Sequence, residues 1–196
     1  MTTFLNRKSD FPIQQLLLSR VSYRAFNEHE RLSDEELMAL FEGARWAPSS
    51  YNNQPWRFVY AKRGSPSWDT LFNALVDFNK SWCKNADTLI LVASRNNFEH
   101  NNKPAVTARF DTGAAWMSLA LEAHARNIIA HGMQGFDYEK IKKDLQIPDS
   151  FTVEAMIAIG KPGNKENLPP DIKEKETPSS RKPLKDFISE GKFPFK

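Results

Sequence analysis

Apolar and polar positions along this chain follow two periods, and the switches between them mark its elements. Leu37, Leu40, Phe41 and Ala44 recur at helical spacing. Ahead of them, Ser33-Asp34-Glu35-Glu36 reads as a capping box, with Ser33 at the N-cap and Glu36 reaching back. That helix is expected to stop near Trp46, before Pro48. Arg57 to Ala61 reads as a short strand, and Leu71, Leu75, Phe78 and Trp82 mark the apolar face of a further helix. Thr88 to Ser94 is a continuous apolar run whose length and β-branched content predict a buried strand. An asparagine-rich polar loop, Arg95 to Lys103, follows it. A long helix is predicted from Val106 to Ala130. Gly113, Ala114, Ala115, Ala120, Ala123 and Ala125 give it small faces that suit the centre of a fold or of a dimer. Asp137 suits the N-cap of a short helix carrying Tyr138, Ile141 and Leu145. Phe151, Val153, Ala155, Ile157 and Ile159 alternate as a strand requires.

Beyond Gly160 the pattern fades. Half of the 12 prolines lie between Pro162 and Pro194, mixed with Lys and Glu. This tail reads as extended, either disordered or an arm held on a partner surface. The order is helix, helix, strand, helix, strand, long helix, helix, strand, tail, which predicts a layered α+β or α/β domain. A length of 196 residues fits one domain, 1–196, with about 162–196 as its arm.

Composition narrows the functional classes. The net charge of +3 is too small to imply a nucleic-acid partner. Cys83 is the only cysteine, so an intramolecular disulfide is excluded and a cysteine metal cluster is not expected. No apolar run reaches membrane-spanning length, and Met1 to Asp10 lacks a signal-peptide core. A cytoplasmic setting is expected. The 5 Trp and 14 Phe are many for this length and would serve a core, an aromatic ligand or a subunit interface.

Candidate chemistry concentrates in a few segments. No dinucleotide-type glycine motif, phosphate-loop lysine or nucleophile elbow occurs. His29, His100, His124 and His131 show no paired ligand spacing; His131, beside Gly132 in an expected loop, is the least easily set aside. No metal is expected. Arg20, Ser22 and Arg24 alternate, so in an extended segment they share one face. That face would hold a phosphate through charge-assisted bonds, or would be a solvated basic edge. Pro48-Ser49-Ser50-Tyr51-Asn52-Asn53-Gln54-Pro55-Trp56 sets hydroxyls, carboxamides and aromatics between two prolines. It reads either as an ordinary polar loop or as a stiff wall for a flat polar heterocycle. Gly132 to Asp137 reads as a tight loop whose glycines allow close backbone approach to a ligand. Arg181 is a further basic position, in the tail.

In this order these segments resemble the FMN-dependent nitroreductase family, from about Leu16 to Ile188. The resemblance implies a three-layer α/β/α fold with a mixed central sheet. It implies a homodimer with two FMN sites at the interface and a C-terminal arm exchanged with the partner. Arg20 and Arg181 would then take the FMN phosphate, with Ser22 near the phosphate and ribityl end. Ser49, Ser50 and Asn52 would come from the opposite subunit, with Gln54 in the same motif. Asn79 would meet the pyrimidine edge, and the backbone of Gln134 and Gly135 would face N5 and O4. Many members carry a Lys where Trp82 stands here, near N1 and O2, so Arg24 is expected to supply that charge. Trp82 is expected to reshape the pocket, with Asn96 to Lys103 as a further wall. Some members also carry a Lys at the position of Ser179. The implied activity takes hydride from NADH or NADPH and reduces nitroaromatic or quinone-like acceptors by a ping-pong scheme, with no catalytic side chain. The alternatives are a flavin-binding or redox-responsive protein without turnover, and a relative that dehydrogenates a small organic substrate.

Overall fold

A four-stranded sheet forms the middle layer, and its most buried strand, β2 (Thr88–Arg95), is the apolar run of the sequence. In this computed structural model, which describes Arg7 and residues 9–195, the strands run in the order β1-β2-β4-β3. Most of residues 1–10, expected to be a polar terminus without a signal-peptide core, lies outside the described residues. β1 (Trp56–Lys62) pairs with β2, β2 with β4 (Phe151–Gly160), and β4 with β3 (Ile129–Met133). Every pairing is antiparallel, so the mixed sheet expected from the resemblance is not formed by this chain alone. Its connections return each strand beside a neighbour of opposite direction, and no parallel crossover occurs among the described strands.

Side-chain alternation splits the core between two faces. Leu89 and Leu91 of β2 join Met156 and Ala158 of β4 on one face. There they pack on α3 (Trp68–Ala74), α4 (Asp77–Cys83) and α6 (Tyr138–Asp144) through Leu71, Trp82 and Ile141. Ile90 and Val92 join Ile157 and Ile159 on the other, against Leu40 and Ala44 of α2 (Asp34–Arg45) and Ala115 and Leu119 of α5 (Ala108–Ala125). A shift of one residue would turn both sets over, which pins the register. The layers are therefore helices, sheet, helices, and the α+β three-layer expectation holds. A short α1 (Gln15–Ser19) precedes them. Among the described residues no helix is long and apolar enough to cross a membrane.

The capping box forms as read. The Ser33 hydroxyl accepts from the Glu36 N–H at 3.1 Å, and the Glu36 carboxylate accepts from the Ser33 N–H at 2.9 Å. Two helices differ from expectation. The helix expected through Leu71 and Trp82 is broken, because Leu75 and Val76 are extended between α3 and α4. The break is imposed from outside: Leu75 bridges Phe136, and the Val76 N–H donates to the Gly135 carbonyl at 3.0 Å. The long helix stops at Ala125 rather than Ala130, where Asn127 takes a left-handed φ of 55°. The apolar residues after it form β3 instead, so His131 lies on a strand and not in a loop.

The tail is not free over its first part. α7 (Pro170–Lys173) buries Ile172, and Glu176 is buried too. The Glu176 carboxylate accepts the backbone N–H groups of Arg24 (2.5 Å) and Ala25 (2.9 Å), tying the tail to the segment that carries Arg20 and Ser22. Farther along, Phe187, Ile188 and Phe193 are exposed.

Candidate functional site

The basic segment leaves α1 in an extended conformation at Arg20, so alternate side chains share a face there. Arg20 donates through Nη1 to the Ser22 hydroxyl at 3.0 Å. Arg24 departs from that pair. Its guanidinium lies 5.8 Å from the centre of the Trp82 ring, with Nη1 3.7 Å from the buried Glu176 carboxylate. The Arg24 charge is thus partly offset, which alternation alone does not reveal. Arg181 sits in the tail with Nη1 bonded to Ser179 and Ser180. Burial, then the charges of Arg181 and Arg7, hold the Arg20 guanidinium below its usual pKa. Arg20, Arg181 and Arg7 are therefore mutual neighbours. Arg7 was not singled out by any sequence pattern.

A second group forms where β3 ends. The Gly135 carbonyl accepts both the Val76 N–H at 3.0 Å and the Asn79 side-chain amide at 2.9 Å. Asn79 is buried, and a Cβ on Gly135 would fall 2.5 Å from its Nδ2. Glycine is required there because no Cβ fits, and the break between α3 and α4 is what carries Asn79 to this position. The structure thus brings Asn79 and Gly135 into contact, beside Gln134.

A third group is the loop before β1. Tyr51, Asn52 and Gln54 all have left-handed φ values of 53°, 53° and 47°. For a residue as bulky as Tyr this is a sparsely populated state that costs about 1 kcal/mol or more. Hydrogen bonds hold it: the Gln54 N–H donates to the Ser49 hydroxyl at 3.0 Å, and the Ser50 N–H donates to the buried Asp111 carboxylate of α5 at 3.0 Å. The Gln54 amide donates to Asn52 through both its carbonyl and its side chain, each at 3.1 Å. The loop is shaped by left-handed turns and these hydrogen bonds rather than by its prolines alone. The Tyr51 side chain is fully presented, at 83% exposure, against Phe98 and His100.

A cavity of about 480 Å³ lies between α5 and the sheet. Arg20, Ser22 and Gln134 line it together with Thr112, Trp116 and Glu154. Ser49, Ser50, Asn52 and Gln54 do not line it, nor do Asn79, Gly135, Arg24 or Arg181. Trp82, expected to reshape the pocket, does not line this cavity: it is 2% exposed, stacked near Phe26 and under Arg24, and belongs to the core. Residues 96–103 also stand away from this cavity. Glu154 and Thr112 are among the lining residues that no sequence pattern singles out. Glu154 occupies the irregularity where Val92 pairs with Ala155 but Ala93 with Val153, and it bonds Ser94 and Arg109 at 2.5 and 2.9 Å. The Thr112 hydroxyl is buried without a protein partner, an unmet polar atom in the cavity wall.

His131 is buried behind the same strand, 4.8 Å from the Trp82 ring, and its Nδ1 donates to the Tyr23 carbonyl at 3.1 Å. Burial, then the Arg24 charge, lower its pKa to about 4, so at neutral pH it is an uncharged part of the packing.

Along the outer side of α5, Phe110 is 80% exposed and Met117 39%, and Val106 just before the helix is 90% exposed. Gly113 stands between them with nothing within 4 Å of an added Cβ. The spacing makes one unpartnered apolar stripe, and Gly113 and Met117 also line the cavity.

Comparison with known proteins covers most of the chain. The sequence model of the nitroreductase family matches residues 17–66 and 65–161. An oxygen-insensitive NADPH nitroreductase of Helicobacter acinonychis is 38% identical over 91 residues, which are 46% of this chain and 41% of that enzyme. The chain thus matches less than half the length of that relative. A crystal structure described as an oxidoreductase containing FMN superposes with a TM-score of 0.93 at 44% identity, covering 100% of both chains. A Desulfovibrio desulfuricans protein crystallised in complex with FMN gives a TM-score of 0.74 at 27% identity, covering 95% of this chain and 100% of that one.

Proposed function

The chain belongs to the nitroreductase family, and from that premise we propose that it binds FMN and uses it to pass hydride from NADH or NADPH to an oxidised small molecule. The observation that carries this reading is the cavity joining Arg20 and Ser22 to Gln134. One end offers a guanidinium and a hydroxyl to a phosphate, and the other offers a strand end, beside the Gly135–Asn79 contact, to a flat heterocycle. The unmet Thr112 hydroxyl also fits a polar occupant.

In this reading Arg20 and Arg181 hold the phosphate, and Ser22 orients it through the bond it shares with Arg20. Asn79 and the backbone of Gln134 and Gly135 position the ring edge, their geometry held by the packed Gly135. Arg24 supplies positive charge toward the pyrimidine, moderated by Glu176. Hydride chemistry belongs to the cofactor when bound, so no side chain need act as a nucleophile. Nicotinamide and acceptor use the same cavity in turn, a ping-pong order, with nitroaromatic or quinone-like acceptors.

The reading includes a homodimer, supported by the apolar stripe of Val106, Phe110, Gly113 and Met117 bordering the cavity. Ser49, Ser50, Asn52 and Gln54, which do not line the cavity of their own chain, would then serve the partner's site. The chain is one domain, with 162–196 as its arm; the exposed Phe187, Ile188 and Phe193 suit an arm laid on a second copy. A cytoplasmic setting completes the reading, in keeping with the single, buried, free Cys83.

The test is optical. Purified protein should carry flavin absorbance, lose it on anaerobic addition of NADH or NADPH, and regain it on adding a quinone or nitroaromatic. Flavin that neither nicotinamide bleaches would leave a flavin-binding protein without this turnover. A colourless protein that does not take up added FMN would end the cofactor reading.

A further inference from the structure

Arg7 stands beside the phosphate residues although it lies 13 positions from Arg20 and 172 from Ser179. Its Nη1 donates to the carbonyls of Leu18 (3.1 Å) and Arg20 (2.9 Å), and its Nε donates to the Ser179 carbonyl (3.2 Å). One guanidinium therefore bridges the terminus, the basic segment and the tail. Among the described residues these bonds use Nε and Nη1, and Nη2 takes part in none of them.

Among the described residues, the cations around it are not paired with carboxylates. Arg31, Arg57 and Arg109 each meet a carboxylate within 3.2 Å. Among the described residues, Arg7, Arg20 and Arg181 form no such pair; their recorded partners are carbonyls and hydroxyls. Arg7 and Arg20 are both partly withdrawn from water, and each feels the charge of Arg181. Neighbouring cations held together without a counter-charge repel, and partial burial strengthens the repulsion. A multiply charged anion relieves it. The fork of Arg7 reaches the backbone at Ser179, two residues before Arg181.

We propose that Arg7 is a third arm of the phosphate site, beside Arg20 and Arg181. The inference rests on the FMN reading and adds to it a residue outside the matched segments, which begin at residue 17. Arg7 acts in two ways. It holds the tail against the basic segment, which sets Arg181 near Arg20, and it adds a full positive charge to the cluster.

The experiment compares two ligands that differ only in the phosphate. The full chain, freed of small molecules by dialysis, is titrated with FMN and with riboflavin, following flavin fluorescence. Wild type should bind FMN far more tightly than riboflavin. Arg7→Gln should weaken FMN about ten- to hundredfold, the range of one charge-assisted contact, and leave riboflavin unchanged. Arg7→Lys should recover part of the loss, and raised salt should narrow the gap between wild type and Arg7→Gln. Equal weakening of both ligands would make Arg7 a purely structural tie and overturn the proposal, as would unchanged FMN binding. Wild type that binds both ligands alike would remove the phosphate site itself. Wild type that binds neither would remove the FMN reading, and this inference with it.

Discussion

Substituting Gly135 by Ala tests whether the contact between α4 and the end of β3 is as tight as its geometry implies. The added Cβ would lie 2.5 Å from the Asn79 amide nitrogen and 3.1 Å from a Val76 methyl. The first is about 1 Å inside ordinary van der Waals contact. Asn79 has little room to yield, since it is buried and its amide is committed to the Gly135 carbonyl. Overpacking of this kind costs about 1–3 kcal/mol, and displacing the buried amide from its acceptor costs about 1–3 kcal/mol more. Gly135 does not have a left-handed φ, so Ala adds no backbone strain and recovers about 0.4–1 kcal/mol from the unfolded chain. The net loss is about 2–4 kcal/mol, or roughly 5–15 °C in melting temperature for a chain of this length. Urea denaturation at saturating FMN measures it. Asn79→Ala in the same background removes the obstructing atom, so the double variant should be more stable than the sum of the single losses by about 1 kcal/mol or more. A Gly135→Ala protein within about 0.5 kcal/mol of wild type, or strict additivity in the cycle, would refute the reasoning.

Two further outcomes follow from buried ionisable groups. Glu176→Gln keeps the acceptor for the Arg24 and Ala25 N–H groups but removes the charge beside Arg24. With FMN bound, the freed cation should raise the two-electron reduction potential by about 30 mV per 1.4 kcal/mol of added stabilisation, and Arg24→Gln should lower it; unchanged potentials in both variants would remove Arg24 from the flavin's surroundings. His131 has its pKa lowered to about 4 in the fold, against 6.5 as the ordinary value. Between those values the unfolded chain binds a proton that the folded chain does not, so stability is full above pH 6.5 and falls as pH drops toward 4, by about 3 kcal/mol. Denaturation midpoints for wild type and His131→Gln across that window should diverge, with the variant showing the shallower slope; parallel curves would show that His131 is not the group responsible.

What could be read from the sequence was local. The Ser33 capping box, the apolar run of β2 and the alternation in β4 depend on neighbours a few residues apart, and each formed within a residue or two of its expected place. The break between α3 and α4 has no proline or glycine to announce it, because its cause is the Gly135 carbonyl, 59 residues after Val76. The end of α5 did carry a signal, the Asn127 that takes a left-handed turn, but the small residues before it and the apolar ones after it blurred into one pattern. The site divides in the same way. Alternation rightly joined Arg20 to Ser22, yet it could not foresee that a buried Glu176 from the tail would draw Arg24 aside. Arg7 was illegible for a plainer reason: a cation in a polar terminus means nothing until the tail returns beside it.

These divisions explain why the loop before β1 is built as it is. Three left-handed residues in four positions are costly in a segment that contributes nothing to the cavity of its own chain. The structure spends a buried carboxylate, Asp111, to hold Ser50, and Asp111 belongs to α5, the helix that also lines the cavity and carries the unpartnered stripe. One rigid helix therefore joins three things: the cavity wall, the apolar stripe and the strained loop. If two copies meet along that stripe, the open side of Gly113 allows their backbones to approach closely, since no side chain intervenes. Each loop would then be carried toward the other chain's cavity by the same helix that forms the contact. On this reading the strain at Tyr51 and Asn52 serves presentation across an interface, and the site residues scattered over one chain become one site only in the pair.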